Sequence, residues 1–161
     1  MQRRLLLSLA AALVAGCGFK LRQAPTFAFK SIYVGAAPTS SLGQELKRDI
    51  RSTGTVTVSD TQVAAQVILD VTNEQREKVV VGLNASGQVR EFELRIRVHF
   101  RLRTPGGKEL IPDSEIVQRQ DISYSESAAL AKEQEEQVLY KSIQTDIVQQ
   151  LMRRLAAVKT I

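Results

Sequence analysis

The stretch EFELRIRVHFRLR, from Glu91 to Arg103, decides the fold. Phe92, Leu94, Ile96, Val98, Phe100 and Leu102 occupy every second position, and Glu91, Glu93, Arg95, Arg97, His99, Arg101 and Arg103 fill the positions between. Side chains of a strand point alternately to its two faces, so this is one long strand with an apolar face and a charged one. Such a strand belongs in a sheet whose apolar side is covered, which sends the reading outward to find the cover and the neighbouring strands.

Upstream, Asn84, Ala85, Ser86 and Gly87 have the composition of a hairpin loop, and Val79, Val81 and Leu83 before them alternate again. Further shorter alternations stand at Val67, Leu69 and Val71 and at Val56 and Val58, with a first strand expected over Ser31 to Gly35. Downstream, Thr104, Pro105, Gly106 and Gly107 form a turn signal, and Glu115 to Tyr124 reads as one more strand with weaker alternation.

Two segments carry helical spacing. After Pro38, Ser41 with Gln44 gives a capping-box pattern; Leu42, Leu46 and Ile50 then recur at intervals of four, and Gly54 suits the left-handed position beyond a helix end. Ser123 with Glu126 suggests a second box, followed by a long helix in which Leu139, Ile143, Ile147, Leu151 and Leu155 form a stripe widened by Tyr140, Val148 and Met152. Gln144 is expected on the exposed side of that helix. Together these elements predict an α+β fold, with two helices packed on one face of a mostly antiparallel sheet of about four strands.

The N-terminal segment has a different chemistry. Arg3 and Arg4 precede an uncharged run from Leu5 to Ala15, which ends at Gly16 and Cys17. That run is far below the roughly 20 residues of a membrane-spanning helix, so a cleaved secretory signal over residues 1–16 is expected. Val14, Ala15, Gly16 and Cys17 resemble the lipobox of bacterial lipoproteins, which implies a new N-terminus at Cys17 carrying diacylglycerol and an N-linked acyl chain such as palmitate. Gly18 stands where an aspartate would retain such a protein at the inner membrane, which implies outer-membrane sorting in a Gram-negative cell. Residues 17–29 are expected to be the lipidated N-terminus and tether, and residues 30–161 a single domain. Loss of Arg3 and Arg4 lowers the formal charge from +5 to +3. That excess suits a membrane surface or a phosphorylated lipid and is too small to indicate nucleic acid.

The inventory for catalysis is thin. The one cysteine is assigned to the anchor and the one histidine, His99, sits mid-strand among arginines, so no Cys/His metal cluster can be assembled and no non-covalent cofactor is expected. Glu91 and Glu93 share a strand face with Arg95 and Arg97, a setting that favours charge pairing over paired-carboxylate catalysis. The row Arg95, Arg97, Arg101 and Arg103 admits two readings, a solvated face that keeps a sheet soluble or a guanidinium ladder that grips phosphates.

Three segments bear a resemblance to the LPS-assembly lipoprotein LptE family: Cys17 to Arg22 (CGFKLR), Val89 to Arg95 (VREFELR) and Ala129 to Glu135 (ALAKEQE). The resemblance implies a non-enzymatic role in placing lipopolysaccharide in the outer leaflet, as a plug inside the outer-membrane barrel LptD that helps to assemble that barrel and binds lipopolysaccharide. It points to Lys132, at the opening of the last helix, as a contact for an anionic lipid A or core phosphate. Arg90 stands near the turn where many members carry a basic residue, and with Arg95, Arg97 and Arg101 it completes the candidate set. A generic outer-membrane adaptor or scaffold lipoprotein without specific lipopolysaccharide binding is the alternative, and a small lipid-binding enzyme a more distant one.

Overall fold

The computed structural model describes residues 25–161. The expected signal peptide, Cys17 and the first part of the tether lie outside the described residues. Five strands, β1 (Ser31–Gly35), β2 (Thr57–Ser59), β3 (Val67–Leu83), β4 (Val89–Arg103) and β5 (Glu109–Ser123), form one sheet in the order β2-β1-β3-β4-β5. Helix α1 (Ser41–Ser52) joins β1 to β2, and a 3-10 turn (Glu126–Ala128) leads into α2 (Ala129–Ala157).

The strand that decided the reading occupies its expected place. In β4, Leu94, Ile96, Val98, Phe100 and Leu102 are fully buried beneath the helices. Its antiparallel partner β3 is one strand of 17 residues, where the sequence suggested two separate runs. Irregularities near Val71 and Gly82 shift the pairing, so that the helix-facing positions change from odd numbers up to Val71 to even numbers from Glu74 to Val80. The turn between β3 and β4 is closed by Asn84, whose side-chain oxygen accepts the backbone N–H groups of Ser86 and Gln88, while Gly87 takes a φ of +78°. The β1 strand pairs in parallel with both β2 and β3, so the sheet is mixed and has five strands where about four were expected.

Helix α1 is capped one position earlier than its sequence suggests. The Ser40 hydroxyl, rather than that of Ser41, accepts the Gly43 N–H at 2.9 Å. Gly43 is required for a separate reason, because a Cβ there would stand 2.6 Å from that of Ala36. Gly54, at φ +68°, ends the helix as expected. The second capping box does not form: Ala128 holds the cap position of α2 with no side-chain hydrogen bond.

The α2 stripe is core. Ile147, Leu151 and Leu155 are fully buried, with Tyr140, Ile143, Val148 and Met152 beside them, and each aliphatic side chain so placed contributes about 1.5–3 kcal/mol. Gln144 is not on the exposed face. It is buried, accepts hydrogen bonds from Ser41 and Arg76 and donates one to Glu45, so it belongs to the seam between the helices. Phe29, at the end of the expected tether, is buried in the same core.

The two helices run side by side in one direction, since Gln144 meets Ser41 and Gln149 meets Asp49. The molecule therefore has two poles. The start of β1, the ends of both helices and the β4–β5 turn lie at one, called proximal here. The β3–β4 turn, the end of β5 and the start of α2 lie at the other, called distal.

Candidate ligand site at the distal pole

The charged face of β4 is covered by neighbouring strands' carboxylates rather than left bare. Arg95 pairs with Glu93 and, at 3.3 Å, with Glu77. Arg97 bridges Glu115 at 2.6 Å and Glu77 at 3.7 Å, and His99 also meets Glu115 at 3.2 Å. The Asp70 carboxylate accepts hydrogen bonds from Arg101 at 3.0 Å and Arg103 at 2.8 Å. Burial pushes the Asp70 carboxyl up, and the two guanidiniums more than reverse that, leaving it below the ordinary carboxylate range. Glu93 is lowered chiefly by its hydrogen bond from Arg95, and Glu115 by that from Arg97. A phosphate approaching this row would have to displace bound carboxylates. The expected pairing role of Glu93 is thus seen directly, along the strand to Arg95 and across to Arg119 at 3.6 Å.

The distal pole also pairs its ammonium groups with carboxylates, but it sets them beside aromatic and exposed aliphatic side chains and next to the guanidinium of Arg90, which forms no ion pair among the described residues. Lys132, one turn into α2, lines a small cleft with Lys78, Phe92, Ser123, Tyr124 and Glu136. Its ammonium donates to the Ser123 hydroxyl at 3.0 Å and to Glu135 at 2.8 Å. Beside it the Lys78 ammonium stands 4.4 Å from the Phe92 ring centroid and pairs with Glu136 at 2.6 Å. Phe92 packs edge-on against Tyr124, their centroids 5.3 Å apart, so the cleft has an aromatic side beneath the Lys78 ammonium.

Arg90 is adjacent, because its carbonyl accepts the Tyr124 N–H at 2.7 Å. It is exposed, lines a shallow hollow with Ser125 and Glu126, and makes no ion pair among the described residues. The fold thus brings Arg90 and Lys132 to one end of the molecule, whereas Arg95, Arg97 and Arg101 sit on the outer face of the sheet. Val80, Val81, Leu83 and Leu130 are exposed at this same end, Leu130 to 73%.

Sequence reasoning missed Lys78, Phe92 and Tyr124 as parts of this site. Lys78 stands in a strand of ambiguous period, and only its pairing opposite Leu94 places it on the helix-covered face. No cluster of His, Cys, Asp and Glu suited to a metal occurs among the described residues, and no described helix is long and apolar enough to cross a membrane.

Residues 29–155 match the family model LptE, described as lipopolysaccharide-assembly. The LPS-assembly lipoprotein LptE of Yersinia pestis (strain Pestoides F) is 29% identical over 157 residues, covering 96% of this chain and 75% of that one. The solution structure of an uncharacterized lipoprotein B from Nitrosomonas europaea superposes with a TM-score of 0.76 at 35% identity, covering 87% of this chain and 91% of its own. The crystal structure of the rare lipoprotein B from Shewanella oneidensis has a TM-score of 0.69 at 22% identity, over 80% and 95% of the two chains, and shows the common fold.

Proposed function

Because the chain belongs to the lipopolysaccharide-assembly LptE family, we propose that it is an outer-membrane lipoprotein, anchored through acylated Cys17, that plugs and helps assemble the LptD barrel and binds lipopolysaccharide on its way to the outer leaflet. The observation that carries the binding part of this reading is the distal cleft. Lys132 and Lys78 line it together with Phe92 and Tyr124, the Lys78 ammonium over the Phe92 ring; Arg90 is alongside, and exposed aliphatic side chains stand at the same end. Lipid A has the same division, phosphates joined to acyl chains, and ammonium and guanidinium groups at the edge of an apolar surface suit both parts.

The outer face of the sheet plays another part. With Arg95, Arg97 and Arg101 engaged by Glu77, Glu93, Glu115 and Asp70, it is a dense but internally matched polar surface, suited to the wet interior of a barrel. We assign phosphate contacts first to Lys132 and Arg90 and only secondarily to the strand arginines.

The test is isolation of the tagged chain from the outer membranes of its own cells, followed by identification of what co-purifies. A large barrel protein and lipopolysaccharide are expected together. Recovery of the barrel with no lipopolysaccharide would support the adaptor reading instead, and recovery of neither would overturn the proposal.

A further inference from the structure

Among the described residues the sheet leaves strand backbone unpaired along three margins, and two of them are blunted. The margin at β2 is only three residues long. On β3 the side towards β1 is open beyond Asp70, but the irregularities near Val71 and Gly82 interrupt it at both ends. The margin at β5 is neither short nor broken. From Ser114 to Ser123 the strand pairs with β4 without a shift and contains no proline; Pro112 and the irregular pairing both lie before this run. The Tyr124 N–H donates to the Arg90 carbonyl at 2.7 Å, which sets the phase of the ladder. Backbone groups of successive residues address opposite edges, so those of Ile116, Gln118, Gln120 and Ile122 turn to β4, and those of Glu115, Val117, Arg119 and Asp121 turn outward. No loop or side chain among the described residues is hydrogen-bonded to these outward groups. Ile116 and Ile122 are buried in the core, whereas Val117 is exposed.

We propose that the open edge of β5 is a strand-docking site, at which an extended segment of the barrel partner joins the sheet as a sixth strand through the outward N–H and C=O groups of Glu115, Val117, Arg119 and Asp121. This rests on the barrel reading above and adds to it the surface and the mode of contact. A closed barrel wall has no free strand edge, so the segment belongs to a loop that folds into the lumen. Charge disfavours a second copy of this chain as the occupant. Antiparallel self-pairing about a two-fold axis, in the two registers of longest overlap, sets Glu115 against Asp121 or Arg119 against its own copy, and like charges directly opposed destabilise a ladder. Asp121 is exposed and forms no ion pair among the described residues, while Arg119 keeps 69% of its side chain in solvent and meets only Glu93, at 3.6 Å. The edge therefore suits a strand with a cation opposite Asp121 and a carboxylate opposite Arg119. Its distal end is Ser123, whose hydroxyl accepts from Lys132, so a docked segment ends beside the distal cleft.

The test compares the full chain alone in detergent micelles with the same chain bound to its barrel, isolated from the outer membranes of its own cells. Hydrogen exchange resolved to single amides is expected to show Ile116, Gln118 and Gln120 protected in both states. Glu115, Val117, Arg119 and Asp121 should exchange freely in the chain alone and about a hundredfold more slowly on the barrel. Val117→Pro removes one outward N–H and no bond to β4, so the melting temperature should fall by only a few degrees while recovery of the barrel falls about tenfold, as for the loss of one hydrogen bond. Gln118→Pro removes an N–H directed at β4 and should destabilise the chain strongly. The exchange measurement needs no substitution, so it decides the matter even if Val117→Pro does not fold. Outward amides that exchange as fast on the barrel as off it overturn the proposal and leave the barrel reading standing, as does full recovery of the barrel by folded Val117→Pro. Outward amides slowed in the chain alone, and more so at higher concentration, overturn it in favour of a second copy. Recovery of no barrel at all overturns both the proposal and the reading on which it rests.

Discussion

The Lys132 ammonium lies 3.0 Å from the Ser123 hydroxyl, so the first turn of α2 is tied to the end of β5 across the mouth of the distal cleft. Lys132 is partly exposed there and its ion partner Glu135 more so, which limits the stabilisation from the pair to about 1 kcal/mol or less. Lys132→Glu is therefore expected to fold, with a melting temperature only a few degrees below that of the parent. Thermal unfolding followed by circular dichroism checks this, and a collapse of the transition would show that Lys132 is structural.

The α2 stripe should not tolerate a charge. Ile147→Asp places a carboxylate at a fully buried position with no partner, at an expected loss of several kcal/mol, enough to unfold a domain of ordinary stability. Gln137→Asp adds the same group on the exposed side of the same helix and should shift the denaturation midpoint little. Equal midpoints for the two variants would refute the assignment of the stripe to the core.

Asp70 should set part of the acid sensitivity of the fold. Despite the upward push of burial, Arg103 and Arg101 hold its carboxyl below the ordinary value, so the stabilisation it provides is present above about pH 4 and is lost as pH falls through the lowered value. Asp70→Asn is expected to destabilise the chain at pH 7 and to differ much less from the parent at pH 3. Asp49 acts in the opposite sense, because burial and then Glu45 raise its pKa, so its contribution favours the protonated form and is lost as pH rises. Urea midpoints across this range measure both, and a destabilisation by Asp70→Asn that is the same at both pH values would contradict the pairing.

Much of the fold was legible because periodicity is a local property. The alternation from Phe92 to Leu102 and the spacing from Ile143 to Leu155 each reflect one partner surface, and both faces came out as read. The β3 strand was not legible as one element, since its irregularities change which side chains face the helices and its distal half is largely exposed. Gln144 was misplaced because a polar residue beside a stripe reads as solvent-facing unless the second helix, with Ser41 and Glu45, is known to lie against it. The site showed the same division. Lys132 and Arg90 were reached through a family resemblance, whereas Lys78 and Tyr124 depend on strand register and on the docking of α2, which no local pattern encodes.

Acylation of Cys17 has its own test. Cys17→Ala is expected to abolish incorporation of a labelled fatty acid, and it should leave the core intact because Phe27, ten positions further along the chain, is the first of the described residues that packs against that core. Incorporation at the parental level would remove the basis for the anchor.

Binding of purified lipopolysaccharide to three charge reversals tests the central claim most directly. Lys132→Glu alters the distal cleft, Arg97→Glu the ion-paired outer face of the sheet, and Lys141→Glu an exposed position elsewhere on α2. All three change the net charge equally, so nonspecific attraction would weaken them alike, with the losses fading at high salt as the Debye length falls to about 3 Å. A localised site at the distal pole predicts a loss of tenfold or more for Lys132→Glu, or about 1.4 kcal/mol, a small one for Arg97→Glu and almost none for Lys141→Glu. Indistinguishable affinities for the three folded variants would contradict the account.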